Sequence, residues 1–171
     1  MTRLPAQALT LARPAILVAM VLNLLYGVAL IAFLVASFVL PEWPMKPLGY
    51  DPATMHEYLP LGLRSIELLG LVLVALVHLI LRRLLAIVDS VRGGDPFVVE
   101  NAKRLQAIAW CMLGIELLRI TVAVIGAAVS IDKVGATGFS VAPWLAILLL
   151  FVLAGVFMRG ARMRADLEGT V

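Results

Sequence analysis

The chain has 171 residues, of which 63% are apolar or aromatic and 15% are charged, with a mean hydropathy of +1.04. Soluble globular domains average about 45–50% apolar and about 25% charged residues, so this composition excludes one. Fourteen basic residues against eleven acidic ones give +3; no cluster among them resembles a DNA-reading element, so direct nucleic acid binding is not expected.

A helix needs about 20 apolar residues to cross the hydrocarbon core, and the chain offers four such runs. The first spans residues 15–40, interrupted only by Asn23, Tyr26 and Ser37, with Pro14 suited to a first turn and Pro41 and Pro44 stopping the far end. It far exceeds the roughly 7–15 residues of a signal-peptide core and reads as a retained anchor. The second run spans residues 61–81 and ends at Arg82–Arg83. The third, residues 105–129, contains Glu116 and Arg119, and the fourth, residues 142–158, closes against Arg159. Trp43, Tyr58, Trp110 and Trp144 fall near run ends, where amphipathic rings favour the interface. The expected fold is all-α: an integral membrane four-helix bundle of up-down topology, a single membrane domain (residues 1–171) whose surroundings are the lipid bilayer.

Ten basic residues lie in the N-terminal arm, the connection 82–104 and the tail 159–171. Only Lys46, Arg64 and Lys133 lie on the opposite side, and Arg119 is inside a run. That bias predicts cytoplasmic N and C termini. In the connection 82–104, Leu84, Leu85, Ile87, Val88 and Val91 prolong the second helix, and Gly93–Gly94 ends it. Asp95 is suited to an N-cap and Pro96 to the first helical position, after which Phe97, Val98, Asn101, Leu105 and Ile108 resume a helical face. The expectation is a cytoplasmic helical hairpin that either packs against the tail and stabilises the bundle or docks a cytoplasmic partner.

Glu67 lies 26 residues before Gly93, and Arg119 lies 25 after Gly94, so a symmetric hairpin puts them at equal depth. Glu116 is one turn from Arg119. Isolated intramembrane charges are costly and usually pair, and an intramembrane polar cluster of Glu67, Glu116 and Arg119 is expected. It serves either as a fixed ion pair that sets helix register or as a proton or cation path. His78 reads as an interfacial histidine and Asn23 as a hydrogen-bonding partner of a neighbouring helix.

Enzyme chemistry finds no support. No phosphate-cradling or dinucleotide-binding glycine pattern occurs, no nucleophile–base arrangement is spaced for catalysis, and no cofactor is expected. Asp51, His56 and Glu57 in the proline-rich segment 41–60 lack a metal-ligand spacing. Cys111 is the single cysteine, so no internal disulfide forms. The sequences Ser65-Ile-Glu-Leu-Leu and Gly114-Ile-Glu-Leu-Leu match by chance in leucine-rich surroundings.

Two segments, Val91-Arg-Gly-Gly-Asp-Pro-Phe-Val-Val-Glu-Asn-Ala-Lys-Arg-Leu and Arg159-Gly-Ala-Arg-Met-Arg-Ala-Asp-Leu-Glu-Gly-Thr-Val, resemble the YoaS-type bacterial membrane proteins of unknown function. The pattern departs at Ala165, where an acidic residue is common in that family. The resemblance implies a four-span protein of the bacterial cytoplasmic (inner) membrane. Such proteins are often encoded beside a small helix-turn-helix regulator, which implies a cytoplasmic partner of that kind. The candidate partner-binding face then comprises Asp95, Pro96, Phe97, Glu100, Asn101, Lys103 and Arg104, with Arg162, Arg164, Asp166 and Glu168 from the tail. Two functions follow as expectations: a non-enzymatic regulatory protein acting on a transcription factor, or a small transporter or channel, a homo-oligomer because four spans make a narrow bundle, working through Glu67, Glu116 and Arg119.

Overall fold

The structure, a computed structural model, describes residues 3–40, 58–94, 96–129 and 140–168. Four helices occupy them: α1 (Arg3–Val39), α2 (Leu59–Arg92), α3 (Val99–Ala128) and α4 (Val141–Glu168), with no strand among the described residues. All four are long and apolar enough to cross a membrane. Leu22, Leu25 and Val28 of α1 and Leu145, Leu148 and Val152 of α4 are exposed. Apolar surface on this scale requires a lipid or protein neighbour in place of water. The chain is a multi-pass membrane protein, an all-α bundle of four helices.

Each helix runs antiparallel to the next. Arg13 of α1 pairs with Asp89 near the end of α2 (3.1 Å), while at the other end Arg64 donates to the Ser37 carbonyl (2.7 Å) and lies 4.2 Å over the Phe38 ring. Between these pins, Asn23 Nδ2 donates to the Val74 carbonyl (3.0 Å), the interhelical bond expected of it. Contacts of Trp110 with Phe151 and of Phe97 with Phe157 tie α4 to the α3 side. Among the described residues only chain neighbours approach closely: α1 with α2, α2 with α3, α3 with α4. The bundle is open along the side between α1 and α4.

Small residues set the closest approaches, as in membrane helix pairs generally. A Cβ at Gly62 would stand 2.8 Å from Val129 Cγ2 and 2.9 Å from Cγ1, across the α2–α3 interface. Gly62→Ala is therefore expected to cost about 1–2 kcal/mol through overpacking, lowering the thermal midpoint by about 2–8 °C in scanning fluorimetry. An unchanged midpoint would mean that Val129 turns aside freely.

The outer ends of α1 and α4 differ from the sequence expectation. Pro14 lies inside α1, which begins at Arg3; Pro5 stands in the first turn, followed by the helix formers Ala6, Gln7, Ala8 and Leu9. At its far end α4 continues past Arg159 to Glu168, so the tail prolongs the last helix.

Candidate functional site

The hairpin between α2 and α3 is built on two glycines. Gly93 N–H donates to the Asp89 carbonyl (3.0 Å) and Gly94 N–H to the Val91 carbonyl (3.1 Å). Gly94 has φ +89°, the left-handed conformation that glycine adopts without a Cβ penalty. Beyond it, the expected helix start at Pro96 does not hold. Val98 is extended (φ −96°, ψ 147°) and caps α3 without a side-chain bond, so the helix begins at Val99. Phe97 stacks on Phe157 of α4 with ring centroids 5.3 Å apart, and this tertiary contact competes with helical geometry at 96–98.

Two of the candidate contact residues, Asn101 and Arg104, hydrogen-bond within the hairpin. Asn101 is 1% exposed. Its amide nitrogen donates to Ser90 Oγ and to the Pro96 carbonyl, both at 3.0 Å, and its oxygen accepts from Arg104 Nη1 at 2.7 Å. Arg104 Nη1 donates as well to the Ala86 carbonyl of α2 (3.1 Å). A buried polar side chain must find its partners within the protein, and here those partners tie the hairpin together from inside. Phe97 (48% exposed), Glu100 and Lys103 face outward, as do Arg162, Arg164 and Asp166 on α4. Pro96 is half-buried and supplies its carbonyl to Asn101. Asp95 and the side chain of Glu168 lie outside the described residues.

Deeper in the apolar length of α3, Arg119 grips Glu116 with two hydrogen bonds, Nε to Oε2 at 3.0 Å and Nη2 to Oε1 at 2.6 Å. The three-residue spacing places both on one helix face, and the planar fork matches the carboxylate. Glu116 is 4% exposed, on the same face as the buried Ala102 and Ala109.

Glu67 is 8% exposed, its Oε2 has no hydrogen-bond partner, and no ion pair joins it to Arg119 among the described residues. The reason is register. Ser90 meets Asn101, Ala86 meets Arg104 and Leu76 packs on Gly114, which puts Glu67 opposite residues 123–124 of α3. Equal depth presumed helix on both sides of the two glycines, but the extended residue before α3 shifts the pairing by about one turn, roughly 5.4 Å. Glu67 and Arg119 nevertheless line one cavity of about 490 Å³, walled by Tyr26 and Leu30 of α1, Gly70 and Leu73 of α2, and Val122 of α3.

Spacing alone did not single out Arg64, Ser90 or Tyr26 for these places, although Arg64 stands one turn before Glu67 and Tyr26 interrupts the first apolar run. Two further buried atoms, His78 Nδ1 and Trp144 Nε1, have no hydrogen-bond partner. Cys111 is a half-buried free thiol. No group of three or more His, Cys, Asp or Glu among the described residues is arranged to hold a metal, and Asp51, His56 and Glu57 lie outside the described residues.

Neither a curated protein nor a solved structure matches the chain. A family model described as "Protein of unknown function (DUF2975)" matches residues 42–171, which include three of the four apolar helices, the hairpin and both buried acids. With well over half of its length matched, this multi-pass membrane protein belongs to the DUF2975 family.

Proposed function

We propose that the chain is a non-enzymatic regulatory protein of the bacterial cytoplasmic membrane, with both termini cytoplasmic, whose hairpin end docks a cytoplasmic partner such as a helix-turn-helix transcription regulator. The observation that carries this reading is the construction of that end. The Asn101 network, Arg104 on the Ala86 carbonyl and the Phe97–Phe157 stack join α2, α3 and α4 into one pinned platform. Polar side chains face outward from it: Glu100 and Lys103 on α3, Arg162 on α4. The ten-to-three basic bias in the sequence supports a cytoplasmic position for this end.

Extraction from native membranes in mild detergent tests it. A small DNA-binding protein should co-purify with the wild type and fall at least tenfold in a Glu100→Ala/Lys103→Ala/Arg162→Ala variant, because all three side chains are exposed and their loss leaves the fold intact. Recovery of the chain alone, or equal partner recovery from the variant, overturns the reading. The alternative, a small oligomeric transporter or channel, has the buried Glu67 in its favour. Its signature is proton or cation flux in proteoliposomes that Glu67→Gln abolishes.

A further inference from the structure

Glu67 occupies an unusual position. A carboxyl oxygen buried without a hydrogen-bond donor is costly, yet Glu67 Oε2 is buried and unpartnered, and the side chain lines an open space. The cations around it are engaged elsewhere. Arg119 gives Nε and Nη2 to Glu116, which balances its charge. Arg64, one turn away on α2, donates to the Ser37 carbonyl in the last turn of α1 and covers the Phe38 ring. The cavity's volume of about 490 Å³ falls in the range of about 300–1,000 Å³ typical of small-molecule sites. Its lining is apolar except for Tyr26, Glu67 and Arg119. Gly70 lets α1 pack closely at this wall: a Cβ there would meet Leu30 Cδ1 at 3.2 Å.

We propose that this cavity between α1, α2 and α3 is a binding site for an amphiphile with a protonated amine head, its apolar tail against Leu30, Leu73 and Val122 and its ammonium on the Glu67 carboxylate. An ammonium supplies the donor and positive charge that Glu67 does not receive from Arg119, which lines the same cavity but is committed to Glu116. The three helices around it are long and apolar enough to cross the membrane, so the ligand enters from the bilayer. The site stands independently of the docking face at the hairpin end.

The test is equilibrium binding of radiolabelled decylamine at pH 7 to the full chain in phosphatidylcholine nanodiscs, with empty discs as background. The expected result is a saturable component near one per chain, displaced at least tenfold more effectively by unlabelled decylamine than by decanol or decanoate. Glu67→Gln keeps the side chain's size and should reduce saturable binding at least tenfold. Ala123→Phe, which fills the cavity from α3, should do the same. The head-group series needs no variant and decides the matter even where a substitution fails to fold. Absence of a saturable component, displacement by decanol or decanoate as effective as by decylamine, or undiminished binding in both folded variants overturns the proposal.

Discussion

Asn101→Ala is expected to lower the thermal midpoint of the purified chain by roughly 6–12 °C. The side chain is fully enclosed and makes three hydrogen bonds, two as donor to Ser90 Oγ and the Pro96 carbonyl and one as acceptor from Arg104. Its removal leaves the Pro96 carbonyl and one Arg104 contact unsatisfied, which costs about 3 kcal/mol, and each kcal/mol is worth about 2–4 °C in a chain of this size. Asn101→Asp should fall between, because it keeps the acceptor for Arg104 and loses both donors. Hydrogen exchange should locate the loss in residues 86–104, with the far ends of α2 and α3 protected as before. A midpoint within 1 °C of the wild type would mean that the Phe97–Phe157 stack holds the hairpin unaided.

The second large effect is expected at Glu116 and Arg119, in its sign of coupling. Arg119→Leu deprives a buried carboxylate of two donors, and Glu116→Leu leaves a guanidinium with no partner in apolar surroundings. Each single change should lower the midpoint more than the double replacement Glu116→Leu/Arg119→Leu, since removing both charges removes the desolvation cost together with the attraction. Midpoints measured for the four proteins of this cycle in nanodiscs check it. Additive losses would show that the two residues act separately despite their bidentate contact.

These two sites also show what a sequence displays and what it conceals. Glu116 with Arg119 was legible because both lie on one helix at a spacing that fixes their meeting. The Gly93–Gly94 turn was legible for the same local reason, a conformation that one residue type prefers. The four apolar runs announced the membrane fold through length alone. The bonds of Asn101 and Arg104 were not legible, because their partners, Ser90 and Ala86, come from the other arm of the hairpin, although Asn101 shares a helical face with Leu105 and Ile108. Glu67 shares the cavity with Arg119 but lacks the expected pairing because its depth depends on how many residues the turn consumes. Within that turn Phe97 stacks on α4, a contact between residues 60 positions apart in the chain.

The order in which the helices touch has a consequence for biogenesis. α2 packs on α1, α3 on α2 and α4 on α3, and among the described residues no helix packs on one that is not its chain neighbour. Every helix after the first therefore meets a packing surface that is already synthesised when it leaves the ribosome. Closing a ring would require the first helix to wait for the last; here no such long loop has to be closed, and the entropy that closure costs is never incurred. Assembly in the order of translation is built into the contact pattern.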